Sequence, residues 1–313
     1  MAYISRDDAL SLIVEQRSSE IIAQAATTSV AMATFRTVPM GTNQLKLNLL
    51  ESFPQAQWLT ATAPADPDIV TKPTTTMAWE FRDMYAEEAA CIVAIPENVI
   101  DDASVNLWPE IESRVAESVA RLIDQTVFFG TAPAGSVPGT FPIGGIVGEA
   151  TAAGKVHAQG ATEDLAEAWN QTMALVEEDG FDVSQAYTSR ALRTGLRGMR
   201  DENGAPLYVA DFRGSAQINT VYGVPLNYVT NGSWDPTDAQ AIMGDASLAV
   251  IGLRQRLVAK RLTEATVNGY NLAEQDMVAL RVKTRLGFAV LVPKGLGQSA
   301  NPYPFAVLGP KAP

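Results

Sequence analysis

The sequence predicts an α+β protein in which a long amphipathic helix lies on a long antiparallel ribbon. Three observations carry that expectation. Within the stretch from Asp101 to Gly130, the apolar residues Ile111, Val115, Val119 and Leu122 recur at four, four and three residues, one stripe at the helical period. Further on, Val278, Leu280, Val282, Leu286, Phe288 and Val290 hold even positions against Arg281, Lys283 and Arg285 at odd ones, the pattern of a strand with one apolar and one basic face. Between the chain start and the helix, Met77, Trp79 and Phe81 alternate with Ala78, Glu80 and Arg82, directly after a stretch crowded with Pro and Thr. That combination predicts a long extended hairpin.

Composition bounds what such a chain can do. Its 313 residues suffice for one large or two ordinary domains, and 47% hydrophobic against 19% charged residues is the balance of a folded core. A formal net charge of -12 argues against a sequence-reading nucleic-acid binder, which needs a basic surface, but not against a protein that encloses nucleic acid. Cys91 is the only cysteine, so no intrachain disulfide can form. No apolar run reaches the roughly 18 residues of a membrane helix. The N-terminus lacks the basic-then-apolar pattern of a secretory signal, so cytoplasmic synthesis is the default expectation.

Taken in order, the chain opens with a short helix expected over Arg6 to Ala26, where Leu10, Ile13, Val14, Arg17 and Ile21 share helical spacing. The threonines and small residues that follow read as an arm or a frayed leader more than as core. From Leu45 to Ala65 come short apolar pieces, then Pro64, Pro67 and Pro73, which disfavour a packed helix. The hairpin so formed is longer than an ordinary connection. It could fold back on its own domain as an edge, but its tip has little apolar surface to bury there, which favours an interaction arm. Ala89 to Ile95 is an apolar strand that passes through Pro96 toward the long helix. Asp101, Asp102, Ser104 and Asn106 precede that helix, where acidic and capping residues suit its positive end. Pro109 falls in the first turn, Glu110–Arg114 and Glu117–Arg121 place the acid N-terminal to the base, and Gly130 ends the run. Roughly 20 residues give a rod of about 30 Å.

Residues 131–150 are rich in Gly and Pro and read as a loop, with Gly144 and Gly145 as a turn. A second helix is expected from Thr162 to Asp179, with Gly180 just past its end. A third spans Ser189 to Arg200, with Leu192, Leu196 and Met199 on one line and Arg190, Arg193, Arg197 and Arg200 on another. ENGAP (202–206) is a turn, and VYGVPLNYV (221–229) a strand or turn pair. The first ribbon strand alternates Leu253, Leu257 and Ala259 with Arg254, Arg256 and Lys260, and TEATVNGYNLAEQ joins it to the second.

No assembled catalytic site, metal site or cofactor site is expected. His157, the only histidine, sits in a Gly/Ala-rich loop and reads as solvated, while Cys91 reads as a small buried hydrophobe. PIGGIVGEA lacks the lysine and hydroxyl of a phosphate-binding loop. The adjacent pairs Asp101/Asp102 and Glu87/Glu88 diverge in any regular structure, so helix-start or solvated roles outrank acid–base chemistry. Asn231-Gly232-Ser233 is a glycosylation sequon only in a secreted eukaryotic setting. The arginine line at 190–200 could pair with acidic groups of another subunit, face nucleic acid, or be a plain solvated face.

The order of these parts resembles the major capsid proteins of tailed double-stranded DNA bacteriophages, the Hong Kong-type capsid fold. WEFRDMYAEEAACIVAIPENVIDDA (79–103) is similar to that family's descent from its extended loop into its spine helix, and VAESVARLIDQTVFFGT (115–131) to the end of that helix. GGIVG (144–148) resembles the entry to the axial domain, and RDENGAPLYV (200–209) with VYGVPL (221–226) its turn-and-strand pair. GDASLAVIGLRQRLVAKRL (244–262) and DMVALRVKTRLGFAVLVP (276–293) resemble the long strands of the peripheral domain.

The resemblance implies an N-terminal arm (1–40), an extended loop (41–88), a peripheral domain with the spine helix on the ribbon (89–140 and 244–292) and an axial domain (141–243 and 293–313). It implies pentamers and hexamers that tile an icosahedral shell around packaged DNA, held without sequence-specific contacts, with assembly in the bacterial host cytoplasm. A separate scaffolding protein, a portal and a decoration protein are the implied partners. Some relatives carry a removable N-terminal scaffolding segment. This chain starts almost at the arm, so cleavage or a separate scaffold is expected. Trp58, Lys72, Trp79, Phe81, Arg190, Arg193 and Arg197 are the candidate subunit-interface residues. Some relatives also weld subunits by a lysine–asparagine bond. Lys72 with Asn268 or Asn271 is suggestive, but no complete lysine–asparagine–glutamate set is matched, and no crosslink is expected. The alternatives are an encapsulin-type compartment shell and, far behind, an enzyme using Asp101, Glu87 or His157.

Overall fold

A computed structural model describes residues 29–52, 74–102, 107–200, 220–295 and 299–311, with the isolated positions 54, 56 and 58. The helix expected over Arg6–Ala26, the ENGAP turn and Lys72 lie outside the described residues.

Two sheets make the body. The four-stranded sheet has the order β1 (Arg36–Pro39), β10 (Ala249–Leu262), β13 (Met277–Val290), β4 (Glu87–Pro96). The six-stranded sheet runs β5 (Val156–Ala158), β14 (Phe305–Gly309), β9 (Ala241–Gly244), β6 (Gln185–Ser189), β8 (Val224–Val229), β7 (Thr220–Val221). Helices α1 (Val30–Thr34), α2 (Glu97–Asp101), α3 (Leu107–Phe129), α4 (Gly145–Ala152), α5 (Leu165–Glu177) and α6 (Leu192–Gly198) accompany them, and the short strands β11 (Thr266–Val267) and β12 (Tyr270–Asn271) pair in the connection between β10 and β13. The long helix α3 lies on the four-stranded sheet. Val115 packs with Leu280 and Val282, and Val119, Ile123 and Val127 share a core with Leu286 and Phe288. The even positions of β13 therefore face α3, as the alternation required.

Several expectations are corrected in detail. The helix begins at Leu107, after the separate turn of α2, and its buried stripe runs Val115, Val119, Ile123, Val127, while Leu122 is only half-buried. Arg114 pairs with both Glu110 (2.8 Å) and Glu117 (3.3 Å). The glycines at 144–145 start helix α4 instead of making a plain turn. Gly130 has φ 61° and Gly144 φ 72°, and a Cβ on Gly130 would come within 2.4 Å of the Gly144 backbone, so the close crossing of α3 and α4 needs glycine there. The second helix is shorter than expected and is capped by Asp164, whose carboxylate accepts the Leu165 amide at 2.9 Å. The third is shortened to α6, since Ser189 is the last residue of strand β6 and Met199 turns extended at the helix C-cap. On β10, register shifts between Leu253 and Val258 throw the alternation out of phase and leave Leu257 and Val258 each 44% exposed.

The largest correction concerns residues 29–40, expected as an arm. They are core. Phe35 is buried and meets Phe128, Tyr187, Phe288 and Phe305, with ring centroids 5.9, 5.5, 6.3 and 6.1 Å away. Those rings come from α3 and from strands of both sheets, so one side chain joins the two layers. Next to it, Asp124 of α3 is fully buried and accepts from the Ser29 hydroxyl, the amides of Val30 and Ala31 (both 3.1 Å) and the Asn231 carboxamide (2.6 Å). Ser29, Val30 and Ala31 are thus clamped to the long helix.

Candidate subunit-interface surfaces

Outside the two sheets, β2 (Gln44–Ser52) and β3 (Ala78–Tyr85) form the expected hairpin, paired antiparallel from Gln44↔Tyr85 to Ser52↔Ala78. Its base is tied to the body. Leu45 and Leu47 pack on Met40, Met84 and Ala86. The Arg82 guanidinium meets Glu149 Oε1 of α4 at 2.6 Å, and the Tyr303 hydroxyl donates to the other oxygen of that carboxylate at 3.0 Å. Burial, reinforced by the Glu149 charge, pushes the Tyr303 hydroxyl well above its ordinary range, so it remains a donor.

Beyond the base the hairpin is uncovered. Trp79 is 56% exposed, Phe81 58% and Trp58, past the end of β2, 98%. Three of the predicted interface residues thus lie on one protrusion, with apolar area that the described chain leaves in solvent. Isolated apolar side chains on a surface are ordinary; here Trp79 and Phe81 stand two residues apart on one strand of the hairpin, both more than half exposed.

The arginines are less uniform than their spacing suggested. Arg190 and Arg197 are exposed, but Arg193 lies 4.0 Å over the Tyr228 ring, and the guanidiniums of Arg197 and Arg200 donate to backbone carbonyls of their own segment. They belong to the layer of the six-stranded sheet, not to the hairpin.

A third surface is the basic face that the ribbon's alternation predicted. On the face of the four-stranded sheet away from α3, the register sets Lys260 beside Arg281 and Ile92, and Val258 beside Lys283 and Ala90. Like charges directly opposite one another disfavour an isolated sheet. The odd positions of β13 and the line Arg254, Arg256 and Lys260 already read as a basic face; the register adds that Lys260 stands directly opposite Arg281.

The three residues weighed as enzymatic candidates lie on separate elements. Glu87, Asp101 and His157 lie on β4, at the end of α2 and on β5. His157 is not a solvated loop residue: its Nε2 pairs with Glu163 at 2.9 Å beside the start of α5. The Gly160 amide, at 2.7 Å, helps hold the Glu163 carboxyl below its usual range. Cys91 is half-buried, not fully buried. Glu87 accepts the Thr140 hydroxyl at 2.9 Å. Asn231, the sequon residue, is engaged with Asp124. Among the described residues no group of three or more His, Cys, Asp or Glu is placed to hold a metal, and no helix is long and apolar enough to cross a membrane.

Residues 11–297 match the phage capsid family. The chain belongs to that family. Solved structures agree. A chain from Microbacterium phage Oxtober96 is 39% identical, with 98% of this chain and 99% of that one covered and a TM-score of 0.85. One from Mycobacterium phage Adephagia is 32% identical over 99% of both, with a TM-score of 0.82. The capsid of a native GTA particle, 17% identical with 96% of each chain covered, shares the fold at a TM-score of 0.66. No curated protein matches the chain. The protein is a structural major capsid protein, one of many copies in a virion shell, and the encapsulin alternative is not favoured.

Proposed function

We propose that this capsid protein assembles into pentamers and hexamers that tile an icosahedral shell around packaged double-stranded DNA. In that shell, residues 41–88 reach across a neighbour, 89–140 with 244–292 form the peripheral domain, and 141–243 with 293–313 form the axial domain at the capsomere centre. The observation that carries this is the hairpin, a tied base under exposed aromatics that the described residues of their own chain do not cover. Trp58, Trp79 and Phe81 supply the contact between copies, with Arg190 and Arg197 as polar contacts in the axial domain. Lys72, in the same loop, forms no covalent link. The net charge of -12 suits a container, because phosphates are repelled and not gripped. A separate scaffolding protein, a portal and a decoration protein complete the particle, which forms in the host cytoplasm without enzymatic activity of this chain. Negative-stain micrographs of the purified protein under assembly conditions are expected to show shells or five- and six-fold rings. A strictly monomeric species in every condition overturns the proposal.

A further inference from the structure

The four-stranded sheet carries α3 on one face, while the described residues cover its other face only at the two ends. At one end the β11–β12 connection folds over the sheet, with Ala265, Val267 and Leu272 packed on Ala94, Met277 and Ala279. At the other end lies the hairpin base. A Cβ on Gly287 would come within 2.5 Å of the Tyr85 carbonyl oxygen, and the Arg285 guanidinium donates to the Asn43 side chain at 2.7 Å. Between Ala279 and Gly287 the face is open. Arg281 and Lys283 of β13 stand there opposite Lys260 and Val258 of β10, with Ile92 and Ala90 of β4 on their other side. Lys260 is exposed, and Val258 and Ile92 are 44% and 41% exposed.

This arrangement is unsatisfied in charge. Lys260, Arg281 and Lys283 have no carboxylate opposite them in the register, and the acid on this face, Glu88, stands opposite Arg285. The Nε atoms of Arg281 and Arg285 are buried and donate to nothing among the described residues. Like charges directly opposite one another and buried donors without acceptors are both costly to keep. On a chain of net charge -12, cations left in this state point to an anionic group from outside.

The shape and chemistry of the opening select its kind. Arg281 to Arg285 spans four residues, about 13 Å at 3.3 Å each. A helix with its side chains is about 10–12 Å across, so one laid over the strands fits between the two covered ends. Val258 and Ile92 lie among the cations, and a phosphate backbone has no apolar surface to cover them. A long duplex also meets the whole acidic chain, whereas a short segment feels mainly the charges within a Debye length, about 10 Å at 0.1 M salt.

We propose that the open face of β10, β13 and β4 is a docking site for an acidic amphipathic helix of a second protein. Its carboxylates meet Lys260, Arg281 and Lys283, and its apolar residues cover Val258 and Ile92. The face is complete in a single chain, so this inference stands apart from the shell reading.

The probe is a fluorescein-labelled peptide with glutamates beside a leucine stripe at helical spacing, longer than the roughly 12–15 residues below which isolated helices are marginal. Fluorescence anisotropy with the full chain is expected to show binding that weakens as salt is raised. Lys260→Gln with Lys283→Gln is expected to weaken it about tenfold or more. Val258→Ser with Ile92→Ser is expected to weaken it about threefold or more. Arg121→Gln, which removes an exposed charge on α3, is expected to leave it unchanged. No binding by the wild type, or an equal loss in Arg121→Gln, overturns the proposal. Tighter binding of a short DNA duplex that the same lysine changes abolish also overturns it, because the face would then be one for nucleic acid. If a variant unfolds, as judged by Tm, the wild-type chain decides. With the peptide bound, acetic anhydride is expected to modify Lys260 and Lys283 more slowly and Lys46, exposed on β2, at its former rate. Unchanged acetylation of Lys260 and Lys283 overturns the proposal.

Discussion

The junction around Phe35 and the hairpin around Trp79 are built on opposite terms. At the junction each group has more partners than it needs. Phe35 meets four rings and Asp124 accepts from four donors contributed by two distant segments. The hairpin has a ladder, a small apolar base and one ion pair, and its aromatics face water. The difference separates two jobs. Partners are concentrated where the two sheets meet, and the proposed assembly assigns the hairpin's exposed apolar area to another copy. Substitutions in the two regions should therefore have opposite signatures, one on folding and one on assembly.

The largest effect on folding is expected at Phe35. Phe35→Ala leaves a cavity ringed by Phe128, Tyr187, Phe288 and Phe305, and large-to-small changes of this kind cost about 3–5 kcal/mol. Denaturant unfolding of the unassembled chain should show that loss, and a change below about 1 kcal/mol would mean that the layers are not joined there.

Asp124 comes next. Asp124→Ala strands the Ser29, Val30, Ala31 and Asn231 donors, and an unsatisfied buried group costs about 1–3 kcal/mol. Asp124→Asn isolates the charge. Burial, opposed by those same donors, holds the carboxyl above the ordinary aspartate range. A raised folded value means that its stabilisation is present at low pH and is lost as pH rises through that value. The stability of wild type relative to Asp124→Asn should thus fall as pH rises above about 4. Asp179 has the reverse sign. Burial opposes its ionisation, but Lys155 at 2.8 Å, Ser299 and the Tyr303 amide together bring its carboxyl below the usual range. Its contribution is present at neutral pH and lost on acidification, so single-residue difference curves, not the whole profile, are the measurement.

How much of this was legible depended on the range of the contacts. The α3 stripe and the parity of β13 repeat within the element itself, so a periodic reading found them. Phe35 acquires its role from rings in α3, β6, β13 and β14, and Ser29 from a residue 95 positions away, with no local pattern to mark either. Asp124 had left a signal: it stands four residues after Ala120 and four before Phe128, a carboxylate between two buried positions of the helix. On the hairpin, alternation identified the apolar side but could not say whether its cover comes from the same chain. That is a property of packing, and the exposure of Trp79 and Phe81 supplies it.

The base of the hairpin tests where one region gives way to the other. Glu149→Gln removes the ion pair to Arg82 while keeping an acceptor for Tyr303. Arg82 is 44% exposed, so the loss of stability is expected below about 1 kcal/mol. Hydrogen exchange is the sharper probe, with faster exchange at β2 and β3 and unchanged exchange at α3. Equal acceleration in both would erase the distinction between the regions.

The smallest effect on folding belongs to the hairpin aromatics, and it is the most telling. Trp79→Ser with Phe81→Ser removes side chains that are more than half in water, so little buried area is lost and unfolding of the single chain should move by no more than about 0.5 kcal/mol. If those side chains are the surface that a neighbour covers, the same variant should fail to form shells at concentrations where the wild type does. Light scattering during assembly measures that directly. A variant that is destabilised as a monomer would show that the hairpin leans on its own body after all. One that is stable and still assembles would show that the exposed row is not the contact. Only intact folding with lost assembly fits an arm whose apolar area is reserved for another copy.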